Sequence, residues 1–231
     1  MFINNKIIAH RGMFDNKKVV ENTIEAFEKA IDKEIPFELD VQLTRDDKIV
    51  VFHDEDLKRL ANNKMIIQNS NYEDLKKIKL LDIDAHIPLL REVLKKNKDK
   101  VLIDIEIKDS KRWKTLVNKL MIELKPYVNY VVKSFNPKIV RYIKKNYSWV
   151  NVGLLVKDAY PSWIKKQFGQ SKTVIDYCNP DFLAISKKLV KTDYIRKVKD
   201  RVILIWTINN VLDVPEKDSY IYICNIPPLK K

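Results

Sequence analysis

The sequence contains few cysteines and no long apolar run. Its two cysteines, Cys178 and Cys224, stand in no spacing typical of metal binding or redox chemistry, so both are expected to be reduced core residues. No apolar stretch approaches the roughly 20 residues that span a membrane, which predicts no stable membrane insertion. The segment before the first apolar run is too short for a signal peptide, and we expect a cytoplasmic location.

Internal repeats and low-complexity linkers are also missing from the sequence. With 231 residues and 45% hydrophobic content, the chain is long and apolar enough for one large core. We therefore predict a single domain over residues 1–231. No pattern in the sequence predicts an oligomeric state.

Arginine is scarce relative to lysine among the 44 basic residues, although the net charge is +13. The lysines are spread over several predicted helices and form no single basic cluster. Base readout and bidentate phosphate binding favour arginine, so nucleic acid is not expected as a partner. The positive field instead favours attraction of a small anionic substrate.

Apolar, strand-like runs alternate with amphipathic helices through most of the chain. This alternation is typical of a parallel sheet with helical crossovers. Eight runs predict an α/β fold, a (β/α)8 TIM barrel with its chemistry at the carboxyl ends of the strands. The predicted strands are 6–10, 37–43, 101–108, 130–134, 151–156, 182–186, 202–207 and 220–224. The run 49–53 is predicted to return as a hairpin beside strand 37–43, and the last βα unit, 209–219, is short.

Helical spacing of apolar residues predicts the crossover helices. The predicted helices are 21–33, 72–79, 89–96, 113–124, one that follows Pro137, and 190–199.

A pair of carboxylates lies on one face of the run FELDVQL. Side chains alternate along a strand, so Glu38 and Asp40 share a face while Phe37 and Leu39 point to the other. Two carboxylates on a half-buried strand repel each other and lose hydration unless a positive charge lies between them. A divalent cation satisfies this requirement, and a buried ion pair is the alternative interpretation.

The same alternation recurs at 101–108, where Asp104, Glu106 and Lys108 share a face. His10 and His53, two of the three histidines, each end an apolar run. Two acidic strands together with two strand-end histidines favour a functional site over isolated ion pairs. The third histidine stands in no comparable pattern and is predicted to be structural.

Eight short motifs, all in the same order, resemble those of the glycerophosphodiester phosphodiesterase family. Each motif alone is weakly diagnostic, and the ordered set from His10 to the C-terminus carries the resemblance. The motifs are His10-Arg11-Gly12, Glu21-Asn22-Thr23, Glu38-Leu39-Asp40-Val41, Val50-Val51-Phe52-His53-Asp54, Ile87-Pro88-Leu89-Leu90-Arg91-Glu92-Val93-Leu94, Glu106-Ile107-Lys108, Ser134-Phe135 and Trp206-Thr207-Ile208-Asn209. The chain departs from the family near its end, where Cys224-Asn225-Ile226-Pro227 stands in place of Thr-Asp-x-Pro.

The resemblance implies a barrel of the phospholipase-C-like phosphodiesterase type. The implied reaction is hydrolysis of a glycerophosphodiester, a small-molecule substrate, to sn-glycerol 3-phosphate and an alcohol. By resemblance, a divalent cation is held by Glu38, Asp40 and Glu106. His10 and His53 are implied as the acid/base pair.

Further expectations concern the substrate and the cation. The resemblance implies phosphate contacts from Arg11 and Lys108, and the strand-end position of Trp206 suits packing on a glycerol or headgroup. Carboxylate ligands favour a hard cation, Mg²⁺ or Ca²⁺, with Mn²⁺ as a further candidate. Purely structural interpretations remain for each side chain: Arg11 as an ion-pair partner of Asp40, Lys108 as a counter-charge for Glu106, and Trp206 as a core residue.

Two other functions keep the same barrel. One is a phospholipase D-like lyase that releases a cyclic phosphate, and the other is a non-catalytic binding barrel. Choline, ethanolamine, glycerol or a decoration on a larger polymer are all open as the leaving alcohol. The sequence assigns neither histidine specifically as acid or base.

Overall fold

The structure is a computed structural model that describes residues 6–159, 170–210, 212, 214 and 220–226. This part of the chain contains nine strands and eight α-helices. The strands are β1 (Ile7–Met13), β2 (Phe37–Leu43), β3 (Ile49–Val51), β4 (Ile103–Ile107), β5 (Tyr130–Ser134), β6 (Val152–Val156), β7 (Phe182–Ser186), β8 (Val202–Ile208) and β9 (Ile221–Ile226). The helices are α1 (Ile24–Asp32), α2 (Lys58–Ala61), α3 (Tyr72–Leu75), α4 (Leu90–Asn97), α5 (Trp113–Leu124), α6 (Pro137–Asn146), α7 (Lys172–Cys178) and α8 (Asp193–Val198). Most of the short last unit predicted at 209–219 lies outside the described residues.

The strands close into a barrel. Their order is β1-β9-β8-β7-β6-β5-β4-β2-β3, and β1 also pairs with β2. Every pairing around the ring is parallel. The remaining strand, β3, lies antiparallel on β2 as the predicted hairpin. The predicted eight-stranded parallel barrel is therefore confirmed, and the prediction of one domain over residues 1–231 stays a prediction.

Two apolar layers flank the barrel wall. The larger layer lies between strands and helices, and it takes Phe37, Leu39 and Val41 from the outer face of β2. A smaller core fills the barrel interior, with Phe182 among its fully buried members. Because both faces of β2 are covered, all seven of its residues are buried. The expectation of a half-buried strand was wrong, since alternation in a closed barrel separates inside from outside and not core from solvent.

Several helix boundaries differ from the predicted ones. The helix predicted at 21–33 begins at Ile24, where the Thr23 side chain caps it by accepting from the Ala26 N–H at 3.4 Å. The helix predicted at 190–199 is shorter, because Thr192 caps α8 and a 3₁₀ turn, Lys187–Leu189, precedes it. No helix among the described residues has the length and apolarity to cross a membrane.

Candidate active site

Four acidic side chains lie next to one another on the inner face of β2 and β4. The parallel register places Glu38 beside Asp104 and Asp40 beside Glu106. All four are buried. Carboxylate oxygens of Glu38, Asp40 and Glu106 lie within 4.8 Å of one another. The predicted carboxylate cluster therefore exists, and Asp104 joins it one layer deeper in the barrel.

Two lysines partly neutralise these acids. Lys108 Nζ lies 2.7 Å from Asp40 Oδ1 and 2.6 Å from Glu106 Oε1. Sequence reasoning missed the second lysine, Lys133 on β5, whose Nζ lies 2.5 Å from Asp104 Oδ2 and 3.5 Å from Glu38 Oε1. Its signal was present in the sequence, because alternation along strand 130–134 puts this lysine on the same face as a buried valine.

Arg11 contacts the acids through both its backbone and its side chain. Its backbone takes a positive φ of 55°, and its amide donates to Glu38 Oε2 at 3.1 Å. The guanidinium lies 2.5 Å from Glu21 Oε1 and 3.4 Å from Asp40 Oδ2. The ion pair with Asp40, one of the two interpretations of Arg11, is thus present. Arg11 is also one of the residues that line the cavity described below.

The motif Glu21-Asn22-Thr23 connects this network to α1. Glu21 is paired with Arg11, Asn22 donates to Asp40 Oδ2 at 2.9 Å, and Thr23 caps the helix. Three consecutive polar side chains therefore each have a separate structural task. This explains why the helix begins after them and not at Glu21.

Each of the two predicted histidines is oriented by one polar partner. His10 Nδ1 lies 2.8 Å from Asn225 Oδ1, and His53 Nδ1 lies 2.6 Å from Asp54 Oδ1. Both partner oxygens only accept, so Nδ1 donates in each case and Nε2 keeps its lone pair when the ring is neutral. Asn225, which belongs to the departing segment at the chain end, was not predicted to contact the site.

His53 is held in place by a longer chain of contacts. Gln42 Nε2 donates to the carbonyls on either side of the histidine, at 2.9 Å for Phe52 and 2.7 Å for Asp54. Asp54 Oδ2 accepts from Arg59 Nε at 2.7 Å. Arg59 also binds Glu21, the partner of Arg11. The environments of the two predicted histidines are therefore coupled through ion pairs.

Burial and charge shift the pKa values of these groups strongly. Burial, aided by the Arg11 guanidinium, lowers the pKa of His10 from 6.5 to about 3, so this ring is neutral near pH 7. Burial raises the pKa of Glu38 from 4.5 to about 8 despite nearby Lys133. Burial also acts to raise the pKa of Asp40, but Lys108 and Arg11 hold it well below its usual range.

A cavity of about 140 Å³ opens above the acids. Its walls include His10, His53 and the predicted Trp206. The indole Nε1 of Trp206 donates to the Ala184 carbonyl at 2.9 Å, and the ring meets Phe135 edge-on at 5.6 Å. Lys108 lines a neighbouring groove instead, with its ammonium directed to the acids.

His86 and Ser134 take part in local structure. His86 Nδ1 lies 3.1 Å from the Ile78 carbonyl, away from the cavity. The Ser134 hydroxyl donates to the Ile107 carbonyl at 2.8 Å, joining two neighbouring strands.

The charges and donor types at the cluster fit a divalent metal ion. In the part of the chain that the structure describes, four carboxylates (Glu38, Asp40, Asp104 and Glu106) face three adjacent cations (Arg11, Lys108 and Lys133). The raised pKa of Glu38 is the sign of a buried carboxyl with too little positive charge around it. Clustered oxygen ligands are those that Mg²⁺ and Ca²⁺ prefer, so the buried acids could hold such an ion.

Comparisons with known proteins agree with this architecture. Residues 10–225 match the sequence model of the glycerophosphoryl diester phosphodiesterase family. A glycerophosphodiester phosphodiesterase of Caldanaerobacter subterraneus subsp. tengcongensis is 38% identical over 161 residues, 64% of this chain and 65% of that protein. The match therefore spans just under two thirds of that relative.

Solved structures extend the likeness to nearly the whole chain. The crystal structure of a glycerophosphodiester phosphodiesterase from Thermotoga maritima has a TM-score of 0.75 and 28% identity, covering 96% of this chain and 95% of that one. A phosphodiesterase from Oleispira antarctica, in complex with the product sn-glycerol-3-phosphate, shares the fold with a TM-score of 0.79 at 20% identity over 97% and 94% of the two chains. The resemblance stated from the motifs is confirmed.

Proposed function

This chain belongs to the glycerophosphoryl diester phosphodiesterase family, and we propose that it hydrolyses glycerophosphodiesters to sn-glycerol 3-phosphate and an alcohol. One observation carries the proposal. Two imidazoles, His10 and His53, line the same small cavity as the acids Glu38 and Glu106. A phosphodiester needs such an arrangement, since its negative oxygens must be neutralised while one proton is removed and another is supplied.

In this proposal, Glu38, Asp40 and Glu106 hold a hard divalent cation, Mg²⁺ or Ca²⁺. When bound, the cation neutralises phosphate charge and lowers the pKa of a hydroxyl that it contacts. Arg11 and Lys108 add positive charge from the protein itself. Among the described residues, Lys108 directs two of its three N–H donors to Asp40 and Glu106, which leaves the third for a phosphate oxygen.

We assign His10 as the general base and His53 as the general acid. His10 donates Nδ1–H to the Asn225 amide oxygen, so Nε2 of the neutral ring keeps the lone pair that can take a proton from the nucleophile. The nucleophile is a water or the glycerol hydroxyl of the substrate. His53 donates Nδ1–H to the Asp54 carboxylate, which orients the ring and leaves Nε2 as the nitrogen that exchanges a proton with the substrate. Nε2 of His53 then protonates the departing alkoxide.

The test compares single histidine variants on two leaving groups. We expect His10→Ala to lower kcat by roughly 10²–10⁴ on glycerophosphoethanolamine and on an aryl diester of glycerol 3-phosphate alike. His53→Ala should lose the first activity but keep much of the second, because a p-nitrophenolate leaves without a proton. His86→Ala is the matched control and should retain full activity.

Two results would contradict the proposal. If His10→Ala and His53→Ala both kept near wild-type turnover, the two histidines would not be the acid/base pair. If activity survived EDTA, the reaction would not depend on a divalent cation. Accumulation of a cyclic phosphate in ³¹P NMR spectra would instead identify the lyase.

A small polar substrate agrees with the glycerol-3-phosphate found in the Oleispira structure. A cytoplasmic location and the absence of nucleic-acid binding stay predictions from the sequence.

A further inference from the structure

A second cavity, a groove of about 690 Å³, adjoins the proposed active site. It lies between the segment 55–69 and the loop that follows β4, at 108–112. His53 lines both the groove and the 140 Å³ cavity, so the two spaces meet at this ring. Small-molecule sites commonly measure about 300–1,000 Å³, which the groove reaches and the inner cavity does not.

The groove displays polar side chains that have no partner in the protein. Among the described residues, the side chains of Glu55, Gln68, Asn69 and Lys111 line it without any hydrogen bond or ion pair. These four supply two amides, one carboxylate and one ammonium. Such a set offers donors and acceptors to a ligand with many hydroxyl groups, and it offers little to an acyl chain.

The wall of the groove formed by the loop 108–112 is fixed by contacts with neighbouring elements. The Arg112 guanidinium binds Asp47 and donates to the Thr44 carbonyl at 3.1 Å. Asp109 accepts from Asn136 Nδ2 at 2.9 Å. The loop is therefore tied to β2 on one side and to α6 on the other.

The opposite wall is also tied together by its backbone, where the Ile67 amide donates to the Glu55 carbonyl at 3.0 Å and the Asn69 amide donates to the Ile66 carbonyl at 3.1 Å. Walls fixed in this way reduce the entropy lost when a ligand binds.

The position of the groove connects it to one side of the reaction. This step depends on the function proposed above, in which His53 protonates the leaving oxygen. That oxygen must come within hydrogen-bond reach of the His53 ring, and the alcohol attached to it then extends past the ring. His53 borders the groove, whereas Phe135 and Trp206 line the inner cavity and not the groove.

We propose that this groove is the subsite for the leaving alcohol and that it selects polyhydroxylated alcohols, of the size of inositol or larger, over small amino alcohols. The inner cavity holds the glycerol phosphate, and the groove binds hydroxyl groups through Gln68 and Asn69. Glu55 and Lys111 flank these amides with opposite charges, so the rim has no net preference for an ionic headgroup.

The test measures kcat/KM for glycerophosphoinositol and glycerophosphoethanolamine in the same variants. Gln68→Ala combined with Asn69→Ala should lower kcat/KM for the inositol diester by roughly tenfold, because two hydrogen bonds worth about 0.5–1.5 kcal/mol each are lost. The ethanolamine diester should change by less than about twofold, since its leaving group is too short to reach both amides. Asn146→Ala, an exposed asparagine at the end of α6, is the control.

Other outcomes would overturn the inference. If kcat/KM fell equally for both diesters, the two amides would have a structural role only. If kcat/KM for the inositol diester were unchanged, the groove would not be the subsite for the leaving alcohol. A selective loss of glycerophosphocholine hydrolysis in Glu55→Gln would show a cationic headgroup site in its place. Wild-type hydrolysis of the ethanolamine diester separates these failures from a failure of the proposed function, in which no diester is hydrolysed at all.

Discussion

The interior of the barrel has two unlike arcs. The arc formed by β1, β2, β4 and β5 carries the ionic side chains, which are His10, Arg11, Glu38, Asp40, Asp104, Glu106 and Lys133. The arc formed by β6 to β9 is mainly apolar in its described part, where Leu155, Phe182, Ala184, Leu204, Ile221 and Ile223 face inward. Both arcs are built from parallel strands of the same sheet.

This difference shows how one fold separates two requirements. A buried charge is stable only when it is paired, so the acids and bases must be neighbours on adjacent strands. When the acidic and basic side chains lie together on one arc, each charged group can pair with more than one oppositely charged neighbour. The opposite arc can then be filled by close-packed apolar groups, which hold the wall rigid without adding charges that would compete for the same partners.

The largest expected effect comes from breaking one pair in the ionic arc. Lys133→Met leaves Asp104 buried without its 2.5 Å partner, so we expect the free energy of unfolding to fall by about 3–5 kcal/mol. Urea denaturation followed by circular dichroism measures it. The double variant Lys133→Gln with Asp104→Asn keeps a hydrogen bond but removes both charges, and it should recover most of the loss. Equal instability of the double variant would mean that Lys133 acts mainly through Glu38.

A second effect on the same arc depends on pH. Against burial, hydrogen bonds and charge from Arg59 and Arg11 lower the pKa of Glu21 from 4.5 to about 2. A carboxyl with a lower pKa in the folded state stabilises it above the unfolded pKa, and this contribution disappears as the pH falls toward 2. The shift corresponds to about 3 kcal/mol.

The measurement compares wild type with Glu21→Gln across the pH range. Their difference in the free energy of unfolding should be largest above pH 5 and should shrink steadily between pH 4.5 and 2. A constant difference over this window would show that Glu21 contributes by packing and not by its charge.

Much of the ionic arc could be predicted because strand alternation acts locally. Glu38 and Asp40 share a face whatever the tertiary structure, and the barrel then brings Glu106 beside them. The closed parallel sheet followed from the βα alternation for the same reason. Alternation places Lys133 on one face of its strand, but its acidic partners, Asp104 and Glu38, lie on two other strands, and only the folded barrel brings them together. Asn225 was missed because its contact with His10 joins opposite ends of the chain.

On the apolar arc, the sharpest test is steric. An added methyl group at Gly153 would overlap the ring of Phe182, which is fully buried and has no room to move. Gly153→Ala should therefore lower the free energy of unfolding by about 1–3 kcal/mol while kcat per folded molecule stays unchanged. Adding Phe182→Leu makes space for the methyl group and should restore part of the stability. Loss of kcat in Gly153→Ala would show that the two arcs are not independent.

The smallest expected effect lies at Trp206, near the carboxyl end of β8 in the apolar arc. Trp206→Phe removes the N–H that donates to the Ala184 carbonyl but keeps a ring beside Phe135, so stability should fall by only about 0.5–1.5 kcal/mol. If the indole packs on the glycerol phosphate, KM should rise a few-fold with kcat nearly unchanged, because packing acts equally on substrate and transition state. Steady-state kinetics on one diester separate the two parameters. A fall in kcat with constant KM would instead place Trp206 in the chemistry itself, and the apolar arc would then share the work that the ionic arc is proposed to perform alone.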